Sequence, residues 1–79
     1  MTDEAIQTYL SAALDQEACK KTLTEALESR VIALQKREIT ATTIITCLKA
    51  LCDDPFQIND DVIYDVIEGL HLSQKRVTP

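Results

Sequence analysis

The sequence predicts an all-α chain: a small four-helix domain of one short, one long and two further helices, paired as a helical homodimer. Three observations carry the helical fold. Residues 1–54 hold neither Gly nor Pro, and the first breaker of either kind is Pro55. Apolar residues recur at i, i+3, i+4 and i+7 along most of the chain. The breaks between these stretches are short and polar, and Thr or Asn stands where a helix cap is favoured.

The first helix is expected from Asp3 to Leu14, with Ile6, Tyr9, Leu10, Ala13 and Leu14 on one face. Thr2 suits its N-cap, and Asp3 and Glu4 complement the positive end of the helix dipole. The second and longest helix covers Gln16 to Lys36 along the stripe Cys19, Leu23, Ala26, Leu27, Val31 and Leu34. Lys36 and Arg37 complement its C-terminal end.

Thr40 opens the third helix. Ile39 before the cap and Ile44 at the fourth helical position have the spacing of a hydrophobic staple. The β-branched run from Ile39 to Thr46 also fits a strand. Continuation into Leu48-Lys49-Ala50-Leu51 decides for helix, with Ala41, Ile44, Ile45, Cys47, Leu48, Leu51 and Cys52 on a broad apolar arc. Asp53-Asp54-Pro55 ends it, because the residue before proline is steered out of the α region. Ile58 and Asn59 repeat the staple-and-cap logic for a fourth helix, with Asp60 and Asp61 in its first turn. Val62, Ile63, Val66, Ile67 and Leu70 line its inner face. The domain then spans 1–72, and Ser73 to Pro79 reads as a polar, frayed tail.

At 79 residues a single hydrophobic core supplies roughly 3–5 kcal/mol unaided, and natural chains of this size gain stability from disulfides, a metal or a second subunit. The three cysteines are an odd count, which rules out a complete intramolecular disulfide framework. Free thiols, together with an acidic Met1-Thr2-Asp3-Glu4 where a secretory signal is basic, point to the cytoplasm. No apolar run reaches membrane length. A second subunit is the stabiliser that remains.

Chemistry-bearing motifs are scarce. Cys19, Cys47, Cys52 and His71 are the only soft metal ligands, and none falls in a CxxC or HxxxH spacing. Cys47 and Cys52 stand about 140° apart around one helix and cannot chelate together. The cysteines read as small apolar residues on apolar stripes. The acids from Asp53 to Asp65 offer no calcium-loop register with Gly at position 6 and Glu at position 12. Glu68, His71 and Ser73 form no nucleophile–base–orienter relay. The reading is therefore no catalytic residue, no metal and no cofactor.

Charge bears on partners. The net charge of −5 and the Lys and Arg scattered as isolated pairs disfavour direct DNA binding, since phosphate is neutralised by clustered cations. Asp53, Asp54, Asp60 and Asp61 form a candidate acidic patch for a basic protein partner. Ile32 falls about 180° from the Leu23–Leu34 stripe on an ideal helix, and Tyr64 lies outside the Val62–Leu70 arc beside Asp60 and His71. With Leu23, Leu27, Val31 and Leu34, these two are the candidate subunit or partner interface. The homodimer is expected to bury Ile32 or the Leu23–Leu34 stripe, with the helices antiparallel or crossed.

The order of features carries a resemblance. Ile6-x-x-Tyr9-Leu10 is followed by a long helix with Leu23, Leu27, Val31 and Leu34. Then come Ile39-Thr40-x-x-x-Ile44-Ile45-x-x-Leu48-x-x-Leu51, an acidic turn, and Val62-Ile63-x-x-Val66-Ile67-x-x-Leu70. Over about residues 5–70 this pattern resembles the small bacterial AriR-type proteins, biofilm and acid-resistance regulators also called two-component-system connector proteins. Those proteins tend to carry a Gly- or Asn-containing break before the third helix. They also tend to place Asn or Ser with Lys at its start, where this chain has Gln35-Lys36-Arg37-Glu38 and Thr40-Ala41-Thr42-Thr43. At that helix's end Leu51-Cys52-Asp53 stands in place of the family's Leu-Glu. The resemblance implies an all-helical homodimer in signalling or transcriptional control that binds a regulator or DNA, without catalysis.

The function expected is a regulatory protein that contacts a response regulator or transcription factor. The alternatives are a secretion-type or assembly chaperone, and a direct DNA-binding regulator.

Overall fold

Four capped or turned boundaries divide the chain into helices and set which apolar faces meet. The computed structural model describes residues 2–55 and 57–76, with side chains through Leu72. Helix α1 spans Asp3–Ala12, α2 Lys20–Lys36, α3 Ala41–Cys52 and α4 Asp60–Arg76, and no strand forms among the described residues. Thr2 caps α1, its Oγ1 accepting from Ala5 N at 3.1 Å. Thr40 caps α3 in the same way, accepting from Thr43 N at 3.2 Å. Each cap satisfies one of the amide donors that a helix start leaves without an internal partner.

The helices pack α1 on α3, α2 on α4 and α3 on α4, with α2 also touching α1 and α3. Lys20 and Asp61 meet at the starts of α2 and α4. Further along, Glu28 to Gln35 and Val66 to Leu70 border one hollow, so these two helices run parallel. Their apolar stripes, with those of α1 and α3, close one core around Leu10, Leu27, Leu34, Ile44, Leu48 and Ile63, all 1% exposed or less. Among the described residues the buried side chains are all apolar. Arg30 ties α1 to α2: its Nη1 donates to Tyr9 O at 3.0 Å, and its guanidinium lies 4.6 Å from the Tyr9 ring centre.

Several boundaries differ from the sequence expectation. α1 ends at Ala12 rather than Leu14, but tight i→i−3 bonds from Ala13, Leu14 and Asp15 continue the turn, which keeps Ala13 and Leu14 buried. α2 begins at Lys20, not Gln16. Gln16 instead turns its amide back onto Ala13 O at 2.9 Å, closing a carbonyl that α1 leaves open. Cys19 is consequently the extended N-cap of α2 and is exposed, not a member of the buried stripe.

Before α4 the expected staple does not form. Gln57 Oε1 accepts from Asn59 N at 3.0 Å, and this tight local loop leaves Ile58 84% exposed. Asn59 still starts the helix, its carbonyl accepting from Ile63 N. Gly69 does not end α4, which continues through Arg76, beyond Ser73 where the tail was expected to open. Residues 77–79 of that tail lie outside the described residues.

α2 ends on a feature absent from the sequence reading. Glu38 adopts φ 66°, in the left-handed region. Ile39 N donates to Leu34 O at 3.2 Å and Glu38 N to Gln35 O at 3.0 Å. These two bonds define a Schellman motif, in which the left-handed position is usually Gly. Ile39, the residue after it, packs against the core.

Candidate protein-contact surface

The six interface candidates separate into two groups. Leu23, Leu27, Val31 and Leu34 are 4% exposed or less and belong to the chain's own core. The option of pairing through that stripe is thus closed, because α1, α3 and α4 already cover it. Ile32 and Tyr64 stay on the surface, 52% and 57% exposed. Leu72 and Ile58 join them as large exposed apolar side chains, and neither was among the sequence candidates. For Leu72 a signal existed: it lies roughly 150° from the centre of the Val62–Leu70 arc.

Ile32 stands between two shallow hollows. One, of about 410 Å³, runs along the outer face of α2 and is lined by Glu25, Glu28, Ser29, Ile32, Ala33 and Lys36. The second, of about 300 Å³, lies between α2 and α4, where Ile32 and Gln35 face Val66 and Gly69. Gly69 is an open notch, since a Cβ built there meets nothing within 4 Å. A third hollow is lined by Thr2, Glu4, Ala5, Thr8 and Tyr9 on α1.

Tyr64 marks a different face. Burial pushes the thiol of Cys52 up, and nearby Asp60 and Asp53 push it further, against a hydrogen bond with Tyr64 that pulls it down. Tyr64 of α4 thus reaches Cys52 at the end of α3, where these two helices pack. Asp60 is half-buried, and its Oδ1 is shielded from solvent without a hydrogen-bond partner among the described residues. The α4 dipole favours its charge there, since Asp60 is the first residue of the helix.

The acidic patch is not one surface. Asp61 points the other way and pairs with Lys20 of α2, which holds its carboxyl below the usual range. Asp53 and Asp54 are exposed at the end of α3. One helical step separates Asp60 from Asp61, and at about 100° per residue that sends them to different neighbours.

The thiols also differ from one another. Cys47 is buried, with Sγ 3.8 Å from Asp3 O, and burial raises its pKa. Cys19 is exposed, and a hydrogen bond with Thr22, at 3.3 Å, lowers its pKa. Among the described residues no group of three or more His, Cys, Asp and Glu side chains is placed to hold a metal ion. None of the described helices is long and apolar enough to cross a membrane.

The fold defines a class, the small all-α four-helix domain. No family model, curated protein or solved structure matches the chain.

Proposed function

We propose that the chain is a small non-enzymatic regulatory protein of the cytoplasm that works by contact with another protein, a response regulator or transcription factor. The observation that carries this reading is the set of large apolar side chains left outside a core that is already closed. Ile32, Tyr64 and Leu72 are each more than half exposed. Apolar side chains held in water by a rigid helix are available for burial by a partner at little ordering cost. Tyr64 adds an aromatic anchor one helical turn from the carboxylate of Asp60, an arrangement that suits a basic partner surface. The AriR-type resemblance supports a role in biofilm formation and stress response.

The test is capture of partners from the native cell by the full chain, in parallel with a Tyr64→Ala variant. Recovery of a response regulator or transcription factor that the variant loses, with its helical signal intact, supports the reading. Recovery of an unfolded exported substrate instead moves the protein to the chaperone class. Sub-micromolar, sequence-selective DNA binding at physiological salt would make it a DNA-binding regulator.

A further inference from the structure

We infer that the outer face of α2, centred on Ile32, is a self-complementary seam on which a second copy of this chain docks with its α2 antiparallel. The inference rests on the contact reading above and assigns this face its occupant.

Glu28, Ile32 and Lys36 follow at four-residue steps, so the two charges stand about 6 Å before and after Ile32 along the helix axis. All three border the hollow on the outer face of α2. A two-fold pair uses the same patch on both subunits. If two α2 helices meet in parallel at Ile32, Glu28 lies level with the partner's Glu28, and Lys36 with the partner's Lys36. Two like-charge contacts result. If they meet antiparallel, Glu28 lies level with the partner's Lys36, and Lys36 with the partner's Glu28. Each subunit then receives one acid–base pair, and Glu25, a turn from Glu28, adds to the acidic end. Charge alone therefore selects the antiparallel arrangement.

Shape agrees with charge. Ile32 is a knob, and the hollows on either side of it are holes, one on α2 and one against Gly69 of α4. Two such faces brought together set each Ile32 beside the other, over a hollow. The open space at Gly69 leaves room for the approach on the α4 side. A basic foreign helix would meet Glu25 and Glu28 favourably but would also meet Lys36. A second copy satisfies both signs.

Light scattering and sedimentation of the full chain across a dilution series test this. The wild type should reach twice the 8.8 kDa chain mass at the concentrated end. Ile32→Asp should remain a monomer with unchanged helical signal, because Ile32 is outside the core. Glu28→Lys and Lys36→Glu should each weaken self-association roughly tenfold by setting like charges level. The double variant E28K/K36E should recover the wild-type value. Mixing the two single variants should also restore pairing. A wild-type monomer throughout the series would overturn the inference and leave the face to another occupant. A dimer in which single and double variants associate alike would also overturn it. Partner capture reports on the contact reading independently: failure of the wild-type chain to capture any partner, with an intact dimer, refutes that reading and leaves the seam standing.

Discussion

Replacing Glu38 by Gly should stabilise the protein, although the change shortens a side chain and loosens the chain. Glu38 sits at φ 66°, where a residue with a Cβ loses roughly 1–2 kcal/mol to crowding against its own backbone. Gly removes that cost but adds freedom to the unfolded chain, worth about 0.5–1 kcal/mol in the other direction. The carboxylate also stands at the negative end of α2, and its removal returns a few tenths of a kcal/mol. The balance favours Gly by about 1 kcal/mol, or roughly 4–8 °C in Tm for a domain of this length. The bonds from Glu38 N and Ile39 N to Gln35 O and Leu34 O hold the turn in either variant. Glu38→Ala is the control, because it removes the charge and keeps the backbone cost. Urea unfolding should be followed at one fixed protein concentration, since the proposed subunit pairing would make the midpoint depend on concentration. A Gly variant no more stable than the Ala variant would refute the assignment of a costly left-handed residue at this helix end.

Three further outcomes are expected. The thiols should react with an alkylating reagent in the order Cys19, Cys52, Cys47, with Cys19 half-maximal at a lower pH than in the unfolded chain; mass spectrometry of partial labelling reads this, and Cys47 labelling first would contradict the burial pattern. Leu48→Ala should cost about 2–5 kcal/mol, comparable to the roughly 3–5 kcal/mol that a core of this size supplies, so circular dichroism should show no cooperative melt near that of the wild type. The Asp61 carboxyl is held low by Lys20, so its stabilisation is present at neutral pH and is lost as pH falls through its folded value. The small stability gap between wild type and Asp61→Asn should therefore close in acid, and also at about 1 M salt because both side chains are more than half exposed. A gap that widened on acidification would reverse the assignment.

Where local chemistry decides, the sequence was legible. The Thr2 and Thr40 caps hold because a hydroxyl three residues ahead of an amide is enough to satisfy it. The core faces of α3 and α4 follow from periodicity alone. The reading fails where a boundary depends on a competing local bond. Gln16 looked like the opening of α2, but its amide serves Ala13 O, and Cys19 takes the cap position without a side-chain capping bond. Ile58 had the spacing of a staple, yet the Gln57–Asn59 hydrogen bond turns that loop first. Glu38 gave no signal at all, since Glu has no preference for the left-handed region. Only the apolar Ile39 after a polar helix end hinted at a Schellman turn.

The contact surface was legible only in outline, for a physical reason that α2 makes plain. Along its sequence, Leu23, Leu27, Val31 and Leu34 and the lone Ile32 are all apolar, and periodicity says only that they lie on different sides. Which side is internal depends on where α1, α3 and α4 settle, which is a tertiary fact. Once those helices cover the leucine stripe, Ile32 is left facing water with a carboxylate one turn before it and an ammonium one turn after it. The same three residues read along the chain are an unremarkable solvated face. Read outward from a closed core, they are an apolar residue flanked by opposite charges at equal intervals, a pattern whose charges match its own reversed copy.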